Sequence, residues 1–372
     1  MDYENIQKDG QRDKNMILQP GLPVKTEKLW NDAAINNTGI YAEYSINIKS
    51  FDLVGSARLD INNANSGDIV IQHPMLGEIY NYSSDSIKSN FTNFSFSFGV
   101  TKILTKKLSI SLSAGRGVRS PDMTERYIIL LPIGYDPFDY LGNPQLEPEA
   151  NNQIDLTLQF KCEKSGMAQI NGFYSLVNNF ITGQRIPPSI QKPLTKDVLG
   201  VKQFYNAGNA RFTGFEFVYS SPSRYKLGGQ LFAAYTYGTI DQVKKYVLNR
   251  PCNVIDDEIL ENDAVSEIPP FDATISVHYR FLQGKLMPKA NLRLVASQKH
   301  VSEAQYEQSS AGFVVAGISV NYIFNKYLNI SAGVSNLFNE AYYEHLNRNI
   351  IGTTTNLYEP GRIAYINLMF KI

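Results

Sequence analysis

The most constraining feature of this sequence is a two-residue alternation of apolar and polar side chains. It runs through Phe94–Phe98, Leu108–Ala114 and Ile154–Phe160, where every second residue is apolar. Because successive side chains of a β-strand point to opposite faces, each of these segments has one apolar and one polar face. The polar face carries mainly Ser, Thr, Asn, Gln and Gly, whereas a sheet facing bulk water usually carries more charge. The pattern therefore predicts strands whose apolar face meets something other than water.

The alternating segments are numerous and long. Most have about 10–16 residues, whereas soluble strands usually have about 5–6 and tilted transmembrane strands need about 9–11. This length favours strands that cross a bilayer. About thirteen segments are present, at residues 37–49, 51–62, 90–103, 108–119, 151–162, 166–181, 210–221, 225–239, 271–282, 286–299, 312–324, 327–338 and 361–372.

The connections between the segments alternate between short turns and long loops. This sorting places all tight turns at one rim and all long loops at the other, as in outer-membrane barrels. We therefore expect an all-β, antiparallel, up-and-down transmembrane β-barrel. Counting back from the last segment places residues 1–36 in an external loop and residues 37–372 in the barrel wall. An odd number of strands does not close such a barrel, so we expect the C-terminal portion of a larger one.

Composition excludes several functional classes. The 35 basic residues balance the 35 acidic ones, which argues against nucleic acid as a partner. No nucleophile elbow or phosphate-cradling glycine loop is present, so we expect neither an enzyme nor a cofactor. The topology puts Cys162 at the short-turn rim and Cys252 in an external loop. We expect no disulfide between them, because a disulfide needs Cα atoms within about 7 Å.

Five motifs resemble those of TonB-dependent outer-membrane receptors, and they occur in that family's order. Gly117–Tyr127 resembles the stretch FRAPxxxELY, and Gly142–Glu149 resembles GNPxLxPE. Tyr205–Glu216 is similar to the strand entry NxGxAxxxGxE. Gly333–Tyr343 is similar to GVxNLFDxxYY, and Pro360–Arg362 is similar to the PGR before the terminal strand.

The resemblance implies a 22-stranded barrel in the bacterial outer membrane, of which this chain would form the last thirteen strands. It also implies an N-terminal plug domain, and active uptake of a metal chelate, a metal ion such as copper, or a cobalamin-like ligand. The expected partners are outer-membrane lipid, that ligand, and the TonB complex acting through the plug. We identify no plug, TonB box, signal peptide or first barrel strands in this sequence, so the chain alone is not expected to transport. The alternatives are a passive porin, an adhesin-type barrel and an inactive remnant.

One charged cluster lies where a predicted strand enters a long loop. In the functional interpretation, its arginines pair with carboxylate or phosphate groups of a ligand. In the structural interpretation, the same residues form a salt-bridged barrel rim. Arg116 stands one step off the face of the neighbouring serines, so its direction is left open. The candidate ligand-binding residues are Arg119, Asp122, Met123, Glu125, Arg126 and Tyr127.

Histidines are candidates for metal binding, but none of the four has the close spacing of a zinc site. His73 and Met75 offer an imidazole and a thioether, a pair that suits copper. His345 lies in another external loop. These three residues are the metal-ligand candidates, and the alternative is that each is simply a solvated loop side chain.

Other residues are assigned to architecture. Leu156 is predicted to face lipid, and its neighbours Asp155 and Thr157 to face the lumen. Gly214 predicts either a β-bulge or a close approach of two backbones. Asn336 and Asn339 predict turn geometry at a strand exit.

Overall fold

The computed structural model describes residues 1–14, 25–73, 77–82, 87–132, 137–187, 193–222, 224–249, 254–347 and 355–371. Strands dominate these ranges. No helix among the described residues is long and apolar enough to cross a membrane. In chain order the strands are β1 Asp2–Lys14, β2 Lys25–Ile48, β3 Phe51–Asn65, β4 Ile69–His73, β5 Gly77–Tyr82, β6 Ser89–Ile103, β7 Leu108–Arg119, β8 Phe138–Leu141, β9 Glu149–Cys162, β10 Gly166–Asn178, β11 Ile181–Ile186, β12 Gly200–Asn206, β13 Ala210–Ser220, β14 Leu227–Asn249, β15 Val254–Ala264, β16 Asp272–Tyr279, β17 Leu286–Val295, β18 Phe313–Ile323, β19 Leu328–Ser335 and β20 Ile363–Phe370, and helix α1 covers Met123–Tyr127.

Fifteen of these strands form one sheet, which we call the wall. Its path is β1-β2-β3-β6-β7-β9-β10-β13-β14-β16-β17-β18-β19-β20, and β15 pairs with the upper part of β14. All thirteen predicted segments are strands of this path in the predicted order, and the antiparallel up-and-down arrangement is confirmed. Within the described residues the path ends on β1 and β20, which do not pair with each other.

The expectation that residues 1–36 form a loop is wrong for most of that stretch. Strand β1 pairs with β2 from Asp2 opposite Gly39 to Lys14 opposite Lys25. The alternation did not reveal β1, because a strand above the bilayer has no lipid-facing side that must be apolar. Ladder hydrogen bonds hold this polar hairpin together instead. The assignment of residues 37–372 to the C-terminal part of a larger barrel stays a prediction.

The outward face of the wall reverses the usual pattern of burial. Large apolar side chains such as Phe94, Phe98 and Leu156 are about half exposed, with Leu156 at 48%. Asp155 lies on the opposite face, where it lines the lumen. An exposed apolar band on a wall of long strands is what a lipid-facing surface requires.

Buried apolar residues lie instead at the long-loop end, in a region we call the loop layer. It contains the hairpin β4–β5, the three-stranded sheet β11-β12-β8, and the ends of the wall strands that these cover, together with β15 of the wall sheet. The first of its three apolar clusters contains Ala33, Ile35, Ala64, Ile69, Ile87, Met123 and Tyr127; the second contains Val177, Ala210, Ile240, Val243, Val265, Ile268 and Ala304; the third contains Leu130, Leu141, Ile186 and Val201.

Local backbone geometry follows the predicted turn residues. Asn336 and Asn339 have φ angles of 48° and 56°, a left-handed conformation that asparagine tolerates. The Asn336 Oδ1 atom accepts a hydrogen bond from the Glu340 backbone N–H at 2.8 Å. These two residues turn the chain out of β19 into the last long loop, as predicted.

Candidate functional site

The inward face of the wall is lined mainly by neutral hydroxyl and amide groups. Directly opposed side chains on neighbouring strands point to the same face, and here they hydrogen-bond to each other. Such a surface is polar without fixing a single sign of charge, so it can be hydrated and can hydrogen-bond to polar solutes. The pairs are Ser56 with Ser97 at 2.7 Å, Thr101 with Ser111 at 2.7 Å, Thr157 with Asn171 at 2.8 Å, and Gln159 with Gln169 at 3.0 Å.

A recess of about 390 Å³ opens on this inward face beside Ser56 and Ser97. Arg58 lies on one side of it, with its guanidinium bonded to Asp60 at 2.6 Å. Asp155 lies on the other side, where both of its carboxylate oxygens accept hydrogen bonds from Gln153 at 3.0 and 3.1 Å. The recess therefore offers a cation and an anion, each already held in place, to a small polar solute.

Three residues of the predicted rim cluster, together with Glu149, are joined by ion pairs and hydrogen bonds. Arg119, at the end of β7, contacts the Glu125 carboxylate at 2.7 Å and the Glu149 carboxylate at 3.0 Å. Helix α1 begins with a capping box, because Asp122 accepts a hydrogen bond from the Glu125 N–H and Glu125 accepts one from the Asp122 N–H. Glu125 thus joins the helix to the wall.

The other three candidates point into the protein. The Arg126 side chain is fully buried and donates to Asn62 Oδ1 at 3.0 Å and to Ser89 Oγ at 2.8 Å. The hydroxyl of Tyr127 donates to a backbone carbonyl, and Met123 packs in the first apolar cluster. These contacts support the structural interpretation of the rim cluster, and ligand binding by its residues stays a prediction.

A second ionic cluster near the rim was not found by sequence reasoning. Arg293 on β17 bonds to Asp272 at the start of β16 at 2.7 Å, and to Glu344 in the last long loop. Its guanidinium also lies 5.5 Å from the ring of Phe313, which contacts Tyr342. One signal was available, since Arg293 lies on the polar face of its strand. The cluster ties the last long loop to the wall.

His345 is held in the loop layer by both of its ring nitrogens. Its Nε2 lies 3.2 Å from Glu307 Oε1 and its Nδ1 lies 3.0 Å from Ser310 Oγ. Glu307 also accepts hydrogen bonds from the backbone N–H groups of Ser302 and Glu267. This group, which we call the loop latch, joins three long loops. Its contacts favour a structural role for His345, and metal binding by it stays a prediction.

The loop latch predicts an acid-sensitive contact. Burial tends to raise the pKa of Glu307, but hydrogen bonds from His345 and the two backbone N–H groups outweigh it, so the pKa lies below its ordinary value of 4.5. A lowered carboxylate pKa stabilises the folded state above that ordinary value, and the stabilisation is lost as pH falls through the lowered pKa.

We therefore expect amide hydrogen exchange in residues 300–311 and 339–347 to rise selectively as pH falls below about 4.5, after correction for intrinsic exchange rates. Glu307→Gln should already exchange faster at neutral pH and should lose most of this pH dependence. An unchanged pH profile in Glu307→Gln would contradict the assignment to Glu307.

The two other candidates for metal binding lie partly or wholly outside the described residues. The side chain of His73 and the whole of Met75 and Cys252 lie outside the residues described, so their predicted roles are untested. Cys162 is a free thiol at the short-turn rim. In the described ranges, no three His, Cys, Asp or Glu side chains are grouped so as to hold a metal ion.

Comparison with known families decides the classification. The family model described as TonB dependent receptor-like, beta-barrel matches residues 1–337. The chain belongs to this family. The resemblance identified from the five motifs is confirmed, and with it the β-barrel class. No curated protein matches the chain significantly.

Solved structures of a siderophore receptor and of metal transporters share the fold. The copper transporter OprC is 21% identical, with a TM-score of 0.76 over 99% of this chain and 53% of that one. The siderophore receptor PiuA from Acinetobacter baumannii is 15% identical, with a TM-score of 0.66 over 94% and 44%. The FrpB iron transporter from Neisseria meningitidis is 16% identical, with a TM-score of 0.64 over 92% and 46%. This chain thus spans about half the length of each of these proteins.

Proposed function

We propose that the chain forms the C-terminal wall of a bacterial outer-membrane receptor that takes up a metal chelate, a metal ion or a cobalamin-like ligand. Uptake would be driven by the TonB complex acting on a plug domain inside the lumen. The observation that carries this proposal is the contrast between the two faces of the wall. The outward face is an exposed apolar band, whereas the inward face is polar and leaves open space.

Wall size supports a lumen occupied by a plug. Barrels of eight strands fill their interior with side chains, whereas barrels of about 16–22 strands enclose a channel or a plug. The path from β1 to β20 already contains fourteen strands within the described residues. Their inward side chains are mostly short and polar, so they do not fill the interior themselves.

The adhesin alternative is weakened by the loop layer. An adhesin needs exposed hydrophobic anchors, and the apolar run at residues 128–133 is the segment that would have to supply them; residue 133 lies outside the described residues. Ile128 and Leu130 are 1% and 4% exposed, since they pack inside the loop layer. The porin alternative has the same wall, and it differs from a receptor in needing no energy.

Uptake measurements test the proposal. A strain that produces the protein would be compared with a strain lacking it, using radiolabelled copper, ferric chelates and cobalamin. We expect the protein in the outer-membrane fraction, and accumulation of one ligand that is lost when either the protein or the TonB complex is removed. Uptake that persists without the TonB complex would indicate a porin. No dependence on the protein for any ligand would overturn the proposal.

A further inference from the structure

The short turns of the wall carry a strong excess of positive charge. We call this end of the wall the turn rim; it comprises residues 49–52, 102–107, 161–165, 221–222, 224–226, 280–285, 324–327 and 371. It contains twelve basic and two acidic residues, a net of ten positive charges, although the whole chain has 35 of each. The basic residues are Lys49, Lys102, Lys106, Lys107, Lys161, Lys164, Arg224, Lys226, Arg280, Lys285, Lys326 and Lys371.

Contacts within the protein do not neutralise this charge. All ten lysines of the turn rim are exposed, and none forms an ion pair with a carboxylate in the described part of the chain. The ammonium of Lys102 lies 5.2 Å from the ring of Phe51, and that of Lys326 lies 4.7 Å from the ring of Tyr327. A ring contact leaves the charge in place, so the lysines remain available to an anionic partner.

The spacing of the turns lets their charges act together. Each hairpin takes two strand spacings of about 4.8 Å, so successive turns are roughly 10 Å apart along the turn rim. This is about one Debye length at physiological ionic strength, so a polyanion that spans several turns is attracted by all of them. Lys371 joins the same level, because its backbone N–H donates to the Tyr327 carbonyl in the last short turn at 2.9 Å.

Most of these charges lie beyond the lipid-facing part of the wall. Outward-facing aromatic side chains near the strand ends, Phe160, Tyr279 and Tyr322, mark the lower membrane interface. Lys161 shares the inward face with Gln159, away from lipid. Seven basic residues lie past the last ladder pair of their hairpin and so extend toward the periplasm: Lys49, Lys106, Lys107, Lys164, Arg224, Lys285 and Lys326.

The kind of basic residue favours carboxylate over phosphate as the partner group. Ten of the twelve are lysines. A guanidinium binds phosphate through paired hydrogen bonds, whereas a lysine ammonium is a compact point charge on a flexible stem. Flexible point charges on both faces and at the tips of the turns suit many separate carboxylates below the membrane better than the phosphates of surrounding lipid.

We propose that the turn rim docks on the carboxylate-bearing peptides of peptidoglycan, the polyanionic layer of the periplasm. A single exposed ion pair is weak, so docking depends on many contacts made at once. The inference uses the outer-membrane location of the proposed function, which places short turns on the periplasmic side. It is independent of the transported ligand and of the TonB complex.

Co-sedimentation with purified peptidoglycan sacculi tests this directly. The purified protein would be placed in nanodiscs of uncharged phosphatidylcholine and mixed with sacculi. We expect binding that weakens as the salt concentration is raised from about 0.05 to 0.3 M. The variant Lys106→Gln, Lys107→Gln, Lys164→Gln, Lys285→Gln should bind at least about tenfold more weakly, since it removes four charges of the turn rim.

Four exposed lysines at the long-loop end provide the matched control. The variant Lys8→Gln, Lys196→Gln, Lys244→Gln, Lys299→Gln changes the net charge by the same amount. It should bind sacculi like the unaltered protein. Equal weakening in the two variants would show that net charge, and not the turn rim, determines binding, and would overturn the proposal.

A further comparison needs no variant. Sacculi whose carboxylates have been converted to amides should no longer bind the unaltered protein, and undiminished binding to them would overturn the proposal. Phosphatidylglycerol retained by the purified protein would also be counted by native mass spectrometry. A turn-rim variant that loses this lipid but keeps its affinity for sacculi would identify lipid as the partner and likewise overturn the proposal. Failed ligand uptake with intact sacculus binding would count only against the proposed function.

Discussion

Replacing Leu156 by Arg is expected to lower the free energy of unfolding of the protein in a phospholipid bilayer by about 2–4 kcal/mol. Leu156 lies outward on β9, opposite Leu112 and Gly172 of the neighbouring strands. It is four residues, or about 13 Å, from Asn152, where the outward face of this strand becomes polar, which places it near the bilayer midplane. A guanidinium at that depth must leave water without a partner. Urea titration in vesicles, followed by circular dichroism, measures the change.

Thr157→Arg provides the matched control. Thr157 is the next residue on the same strand but faces the lumen, where its hydroxyl donates to Asn171. The same charge introduced there remains in water, so we expect a much smaller loss of stability. Equal losses for the two variants would show that both faces are buried alike, and would contradict the assignment of lipid and lumen faces.

The second large effect is expected from Gly214→Ala. A Cβ atom at Gly214 would lie 2.3 Å from the backbone oxygen of Tyr235 and 2.7 Å from the ring of Phe173. A backbone carbonyl in a continuous ladder cannot move aside without breaking hydrogen bonds. Overpacking of this kind typically costs about 1–3 kcal/mol, and we expect a value at the upper end. The same unfolding titration measures it.

A glycine without such a neighbour gives the comparison. Gly117 also lies within a wall strand, but an added Cβ there meets no atom within 4 Å. We expect Gly117→Ala to be neutral or to stabilise the protein by about 0.4–1 kcal/mol, because alanine restricts the unfolded chain. A destabilisation as large as that of Gly214→Ala would argue that loss of glycine flexibility, and not the close contact, sets the cost.

The wall was predictable because a bilayer imposes a strict rule on every strand that crosses it. One face must be apolar for about ten residues. Apolar residues therefore recur at every second position of the sequence. The strands or parts of strands that lie above the bilayer obey no such rule. Strand β1 is mostly polar, and β8, with four residues, is too short to show a period. For Gly214, the sequence left two alternatives, and the unbroken register through this residue selects the close approach.

The candidate site was predictable only where its partners are near in sequence. Arg119 and Glu125 are six residues apart, and their contact follows from the short helix between them. Arg293 and Glu344 are 51 residues apart, and Glu307 and His345 are 38 apart. Whether these residues come into contact depends on how distant segments of the chain fold together. A two-residue alternation does not specify this. The outward direction of Arg116, which lies directly opposite the outward-facing Phe96, likewise required the strand register.

The apolar clusters of the loop layer make the two ends of the wall strands respond to different solvents. The stability of the wall depends on its lipid or detergent, whereas the loop layer excludes water from a core of its own. We therefore expect detergent to change the thermal stability of the wall more than that of the loop layer, so that one melting temperature does not describe the whole protein. The one tryptophan, Trp30, packs against the first cluster. We therefore expect intrinsic tryptophan fluorescence to report the unfolding of the loop layer. The unfolding of the wall must be followed by a backbone probe.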